Sequence, residues 1–393
     1  MSALPSLAAA GAPAAAAERQ PLLERLSHAQ PGPELTVIVP TRNERDNVIP
    51  LYERLCAALA TRNWEMLVVD DDSSDGTPEL VRWLAAHDRR VRLISRLGRR
   101  GLASAYVEGA QASTAAFIAV IDADLQHDET LLPRMLEVLE HEPVDIVVGS
   151  RYVEHGGVGA WDAGRARISA FATRLGRRLL GVPVADPMSG FFMIRREALQ
   201  ASVRNLSAIG FKILIDLFAS APRPLRVREL PFEFRNRHAG ESKFDAMIGI
   251  EYLMLLTDKL VGRIVPVRFL MFVAVGGVGL LTHLAVLWAG LALVALPFAW
   301  AQAAATTVAM VGNFTLNNAL TYRDRRLTGW KFLYGLVSFC LICSVGALAN
   351  IGIASVLFAD HAVWWAAGLA GAAMSAIWNY ALTSALTWRN PAA

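Results

Sequence analysis

From Phe269 to Tyr322 the chain carries no Asp, Glu, Lys or Arg; neither does Phe332 to Phe358 or Ala362 to Trp388. A helix in a soluble domain keeps a charged or polar face toward water, whereas a membrane span needs about 20 apolar residues. The apolar stretches predict four membrane helices, near 267–291, 297–320, 330–358 and 362–387. Up to Arg268 the charges are dense. The 393 residues therefore read as a soluble N-terminal part and a membrane part, and the overall 54% hydrophobic and 19% charged residues average two unlike halves.

Leu296-Pro297 and Ala359-Asp360-His361 make the short turns on one side of these helices. Arg263, Arg268, the segment Arg323-Asp324-Arg325-Arg326 through Lys331, and Arg389 fall on the other. The positive-inside rule assigns the basic side, and the N-terminal part with it, to the cytoplasm. Asn313, Asn317 and Asn318, near the end of the second span, read as polar glue between helices. Phe244–Ile264 is amphipathic, with Met247, Ile250, Leu253, Met254 and Leu256 opposite Asp245, Glu251, Asp258 and Lys259. Such a helix lies in the membrane interface or packs on its own domain. The net charge of +3 gives no ground for nucleic-acid binding. Cys340 and Cys343, at CxxC spacing inside an apolar stretch, read as small hydrophobes, and with Cys56 they suggest no disulfide. Residues 1–33 have few large apolar side chains and no basic segment before an apolar core, so they are expected to be a disordered lead-in rather than a secretory signal.

Between residues 34 and 150 short apolar runs alternate with helical spacing. Strands are predicted at 35–39, 65–69, 91–94, 117–121 and 145–149, with helices at 47–60, 77–87, 101–112 and 129–140 between them. That alternation implies a doubly wound, mostly parallel sheet with both faces covered. Residues 151–170 read as a basic, glycine-bearing loop entering a helix near 167–181. Residues 186–243 read as shorter elements ending in a polar basic loop, 235–243.

Ligands of such sheets bind at the carboxyl ends of the strands, and three of these ends are polar. Pro40-Thr41-Arg42-Asn43-Glu44 closes the first strand, and Asp70-Asp71-Asp72-Ser73-Ser74-Asp75-Gly76-Thr77 the second. Asp122-Ala123-Asp124-Leu125-Gln126-His127 closes the fourth. Two carboxylates one residue apart offer hard oxygen donors that suit Mg²⁺ or Mn²⁺ carrying a phosphorylated substrate. Asn43 is equally suited to cap the helix that follows.

The motifs PTRNE, DDDSSDGT, DADLQH, GSRY, the D-P-x-S-G-F run at Asp186–Phe191, and RHAGESK resemble the family-2 glycosyltransferases. More narrowly they are similar to the dolichol- or polyprenyl-phosphate mannose synthases, over about 35–260. Residues 265–390 resemble a GtrA-type four-helix membrane domain through their hydropathy and the segment NFTLNNALTYRDRR. The resemblance implies a GT-A, Rossmann-like catalytic domain over 34–243, interfacial helices at 244–266, and a four-helix transmembrane domain at 267–390. It assigns nucleoside contacts to Pro40, Arg42, Glu44, Val69 and Asp71, with Arg42 where a tyrosine is often found. The diphosphate and metal go to Asp122, Ala123, Asp124 and Gln126, with Asp124 and Gln126 as metal ligands and Asp122 beside them. Arg237 and Lys243 are to grip the leaving diphosphate, a cationic role at developing charge. Arg151 is to face the acceptor, and Arg165 and Ser169 to hold the lipid phosphate. His127 and His238 adjoin these motifs as supporting residues, Asp186 and Asp216 are structural or active-site carboxylates, and Ala103 replaces a glycine usual in the loop at 100–105.

The implied activity is metal-dependent, inverting transfer of mannose from GDP-mannose to dolichyl or polyprenyl phosphate at the cytoplasmic membrane face. A phosphate nucleophile is already anionic at neutral pH, so no strong general base is expected. The runner-up within the class is a polyprenyl-phosphate glucosyltransferase using UDP-glucose. A processive polysaccharide synthase fits less well, because there is no Q-x-x-R-W motif. The reading from a different class is a membrane protein that moves a lipid-linked sugar beside a non-catalytic nucleotide-binding domain.

Overall fold

The computed structural model describes residues 32–99, 101–157, 173–207, 212–235, 246–262, 265–360 and 363–389. Seven strands form one sheet: β1 (Leu35–Thr41), β2 (Trp64–Asp70), β3 (Val91–Ser95), β4 (Phe117–Val120), β5 (Ile146–Ser150), β6 (Phe192–Arg195) and β7 (Val227–Pro231). Their spatial order is β3-β2-β1-β4-β6-β5-β7. Neighbours are parallel except at β6, which runs antiparallel to both β4 and β5. The predicted doubly wound, mostly parallel sheet is therefore present with one reversed strand inside it.

Helices cover both faces. They are α1 (Arg45–Ala58), α2 (Thr77–His87), α3 (Leu102–Ala112), α4 (Leu132–His141), α5 (173–180), α6 (Arg196–Val203) and α7 (Ile213–Ser220). One apolar layer packs Val37, Val39, Met66 and Val68 under Leu51, Leu55, Val81, Met135 and Leu136. The other packs Ile38, Leu67, Val69, Ile118 and Val120 against Tyr106, Leu199 and Leu217. Strand residues alternate between these layers because successive side chains leave a strand on opposite faces. Burial on both sides explains why β1, β2 and β4 read as continuous apolar runs. Gly109 lets α3 lie close on the sheet: a Cβ there would meet Val69 Cγ2 at 2.9 Å and Ile38 Cγ2 at 3.0 Å.

The amphipathic segment forms α8 (Ala246–Val261). Tyr252, Leu255 and Leu256 are buried with Val182, Val184, Met188 and Ile215 of the α/β domain. Lys259 reaches the fully buried Asp216 on α7 at 2.6 Å. One face of α8 is thus docked on its own domain, as the second of the two expectations had it, while Leu253 and Leu260 stay exposed. Asp216 is structural: besides the ion pair it accepts a hydrogen bond from Ser220 Oγ.

Four long helices follow: α9 (Val267–Ala292), α10 (Phe298–Leu316), α11 (Trp330–Ala359) and α12 (Trp364–Leu382). The even pair each end in a π turn, Asn317–Thr321 and Thr383–Thr387. Among the described residues two helices, over Val267–Ala292 and Trp330–Leu357, are long and apolar enough to cross a membrane. Only 17% of the most apolar window of each is buried, so they are not core helices of a soluble fold. Residues 1–31, 158–172 and 236–245, which hold most of the expected lead-in at 1–33, the loop at 151–170 with the start of the helix near 167–181, and the loop at 235–243, fall outside the described residues.

Candidate active site

The polar strand ends meet along one edge of the sheet. Thr41 pairs with Asp70 in the β1–β2 register, and the two loops that follow are laced together. The buried Asp70 accepts hydrogen bonds from Thr41 Oγ1, Ser73 Oγ and the Ser73 amide. Asn43, in the left-handed region at φ 57, accepts from the Ser74 amide, and its own amide donates to Ser73 Oγ. Asn43 therefore fastens the β1 loop to the β2 loop; the position before α1 is Glu44, which has no capping side-chain bond. Gly76, at φ 90, makes the left-handed turn into α2 that a side chain would strain.

The residues expected to contact the nucleoside, Pro40, Arg42, Glu44, Val69 and Asp71, fall on these two strand ends. Arg42 is exposed, and Pro40 and Glu44 are half-buried. Glu44 accepts from Asn47 Nδ2 at 2.7 Å. The Val69 side chain is fully buried in the core, so what it offers a ligand is main chain. Asp71 is held internally: Arg96 Nη1 donates to Oδ1 at 2.6 Å and the Gly101 amide to Oδ2 at 2.6 Å. Burial pushes its carboxyl up, against the opposing pull of Gly101 and Arg96. The sequence reading missed Arg96, a buried guanidinium that also donates to Ser104. It sits past β3, just before the loop at 100–105 that the resemblance flagged, at a strand end with no acidic motif.

At the end of β4, Asp122, Asp124 and His127 present donor atoms within 4.8 Å of one another. Leu125, at φ 62, turns the chain between them. A non-glycine side chain in that region costs about 1–3 kcal/mol, a strain that clusters at functional sites. Ala123 and Asp124 are buried and Asp122 half-buried. Gly190 faces Asp122: a Cβ there would lie 3.0 Å from Oδ2. Gln126 donates through Nε2 to the Arg235 carbonyl at 3.0 Å, which leaves its carbonyl oxygen as the atom suited to a cation. Two carboxylates and an amide oxygen are the donor set that fits Mg²⁺ or Mn²⁺.

His127 was expected only as a supporting residue. It is buried, stacked on Phe191 (5.3 Å between centroids) and bordered by Phe232 and Phe234. Burial drives its pKa down to about 4, so the ring is neutral at physiological pH. Its Nδ1 accepts from the Asp122 amide at 3.4 Å. It thus braces the acidic turn from behind.

Arg151, past β5, is buried and bound in a bidentate pair with the fully buried Asp186, Nε–Oδ2 2.7 Å and Nη2–Oδ1 2.9 Å. The Arg151 amide donates to the same carboxylate at 3.1 Å. Burial alone would lower the Arg151 pKa; Asp186 outweighs it and raises it. The Ala185 and Asp186 amides in turn donate to Glu229 on β7. An acceptor phosphate at Arg151 would share a guanidinium already anchored. Arg165, Ser169, Arg237, His238 and Lys243 lie outside the described residues; Arg235, just before the last group, is tied to Asp128 and Glu129 at 2.8 Å each.

Comparison with known proteins places both halves. Glycosyl transferase family 2 matches residues 36–202, and the GtrA/DPMS transmembrane domain matches 271–388. A dolichol-phosphate mannosyltransferase of Pyrococcus furiosus is 33% identical over 359 residues, 90% of this chain and 99% of that protein. Proteins of the same name from Mycosarcoma maydis and Saccharomyces cerevisiae are 36% and 34% identical, each over 61% of this chain and over 84% and 92% of their own lengths.

Proposed function

We propose a reaction from the premise that the chain belongs to the dolichol-phosphate mannosyltransferase family, a family-2 glycosyltransferase with a GtrA/DPMS transmembrane domain. The enzyme transfers mannose from GDP-mannose to a polyprenyl or dolichyl phosphate. The observation that carries this reading is the Asp122–Asp124–His127 cluster at the carboxyl edge of the sheet, on a chain that matches such a transferase over 90% of its length.

The β1 and β2 loops, laced by Asn43, Asp70 and Ser73, form the nucleoside side, with Arg42 exposed for stacking and Glu44 and Asp71 as acceptors. Asp124 and Gln126, with Asp122, are the residues to hold Mg²⁺ or Mn²⁺, which supplies neutralisation of the donor diphosphate as a Lewis acid. Arg237 and Lys243 take the negative charge that grows on the departing diphosphate. The acceptor phosphate oxygen attacks the anomeric carbon from the face opposite the leaving group, so configuration inverts. Arg165 and Ser169 hold that phosphate, and Arg151 faces it from its Asp186 anchor. The four helices span the membrane with the basic ends of α9 and α11 on the cytoplasmic side, and the exposed Leu253 and Leu260 of α8 sit at the interface.

The test is transfer by the purified full-length protein to polyprenyl phosphate, with GDP-mannose and UDP-glucose side by side, with and without Mn²⁺. Mannolipid formed only with GDP-mannose and divalent cation is the expected result. A preference for UDP-glucose, or no lipid product from either donor, overturns the reading.

A further inference from the structure

The helical domain repeats itself. Asn313–Arg323 reads N-F-T-L-N-N-A-L-T-Y-R and Asn379–Arg389 reads N-Y-A-L-T-S-A-L-T-W-R, identical at six of eleven positions. Arg268-Phe269-Leu270 at the start of α9 is echoed by Lys331-Phe332-Leu333 at the start of α11. Each copy is one helical hairpin, α9–α10 or α11–α12, and each ends in a π turn.

The contacts repeat with the residues. Gly279 of α9 faces Asn313 of α10, and Gly346 of α11 faces Asn379 of α12; at both glycines an added Cβ would collide with the amide. Between the hairpins the contacts are reciprocal. Phe314 packs on Phe332 at 4.9 Å, and its counterpart Tyr380 packs on Phe269, the counterpart of Phe332, at 5.3 Å. Trp388 Nε1 donates to Asn318 Oδ1 at 3.1 Å, while Tyr322 Oη shares a hydrogen bond with Ser384 Oγ at 2.5 Å. Tyr322 occupies the place of Trp388 in the first copy, and Ser384 that of Asn318 in the second. Tyr322 and Trp388 stack on each other, 4.1 Å between centroids and 5° between planes. A residue that stacks on its own counterpart lies on the axis relating the copies. Both hairpins start at the same end, so that axis runs along the helices, as for parallel repeats in a membrane.

We infer that this clasp, with Tyr322, Trp388 and Asn318 buried and Ser384 half-buried, positions the basic rim that an isoprenoid phosphate meets before it reaches the catalytic half. It rests on the proposed acceptor. The clasp lies at the end of the domain where α8 delivers the chain from the catalytic half. It also fixes the basic segment: Asn318 bonds both the amide and the carbonyl of Leu327, and Arg325 Nη1 donates to the Trp388 carbonyl at 3.2 Å. Basic residues at a membrane surface attract anionic headgroups, and the clasp decides where these ones stand. Its four side chains are positioning residues and touch no reacting atom.

The test uses full-length protein in lipid nanodiscs. Trp388→Ala is expected to raise the KM for a long-chain polyprenyl phosphate about tenfold, with kcat and the nucleotide-sugar KM within about twofold. A folded Trp388→Ala protein with unchanged lipid KM would overturn the positioning role. The exchange Tyr322→Trp/Trp388→Tyr amounts to a half-turn about the axis, so its melting temperature and lipid KM should lie closer to the parent than those of either single exchange. Strictly additive singles overturn the clasp, and this comparison stands even where Trp388→Ala fails to fold. Absence of lipid product from the parent itself would sink the acceptor reading, while the melting comparison would still judge the clasp.

Discussion

The α/β half and the helical half solve the same problem with inverted chemistry. The first buries apolar strands between helices and carries its polar groups at strand ends, where Asp70, Asp71 and Asp124 are organised by amides and side chains. The second turns Leu281, Trp288, Trp300 and Leu348 outward and buries Asn317, Asn318, Thr321, Thr383 and Thr387. The difference is one of solvent. Water rewards burial of apolar area, whereas lipid is as apolar as leucine and helices associate through close packing and polar contacts instead. Polar strand ends in the first half therefore point to chemistry, and buried polar residues in the second point to registration.

The contrast breaks first, and hardest, at the buried ion pair. Asp186→Ala leaves Arg151 uncompensated and should cost the α/β half about 3–5 kcal/mol, read by thermal unfolding; a change within error would show that the pair is not an anchor. Next comes the acidic turn. Asp124→Ala should lower transfer by about 10²–10³-fold with an unchanged melting temperature; loss of stability in place of activity would make the turn scaffold.

The outcome bears on what the sequence could reveal. The polar ends of β1, β2 and β4 were legible because each follows an apolar run, and their periodicity located the strands within a residue or two. The reversal of β6 was not legible, because Phe192-Met193-Ile194-Arg195 has the same composition in either direction. Arg151 read only as a residue facing the acceptor, and its anchoring went unseen, since its partner Asp186 comes from a distant loop and burial is not a local property. His127 read only as a supporting residue because its enclosing phenylalanines, Phe191, Phe232 and Phe234, come from just before β6 and from beyond β7. In the helical half, hydropathy found all four helices and Asn313, Asn317 and Asn318 stood out as glue, but the π turns and the duplication were averaged away; only a comparison of 313–323 with 379–389 exposes the repeat.

His127 gives the third test. Its folded pKa is depressed from 6.5 to about 4, so between those values the unfolded chain binds more protons and stability rises with pH. The contribution is complete above pH 6.5 and lost as pH falls toward 4, about 3 kcal/mol at 1.36 kcal/mol per unit. Melts of His127→Phe in EDTA should lack that slope; an unchanged slope would assign it elsewhere. The smallest effects belong to the helical half. Gly279→Ala and Gly346→Ala should each cost about 1–3 kcal/mol by overpacking, to similar extents, and Asn313→Ala or Asn379→Ala in the same hairpin should recover part of the loss. Unequal costs would count against equivalent hairpins.

The reversed strand also determines which edits the enzyme tolerates. Because β6 starts, rather than finishes, at the ligand edge, the connection holding Asp186 and Gly190 enters the sheet beside Asp122. Had β6 run with its neighbours, that connection would have opened at the far rim. Shortening the chain by one residue before Phe192 would therefore tug on the acidic turn at Asp122 itself, while the same deletion after Arg195 would be absorbed a full strand length away. Engineering that lengthens or grafts loops in this enzyme has its safe side at the back of the sheet.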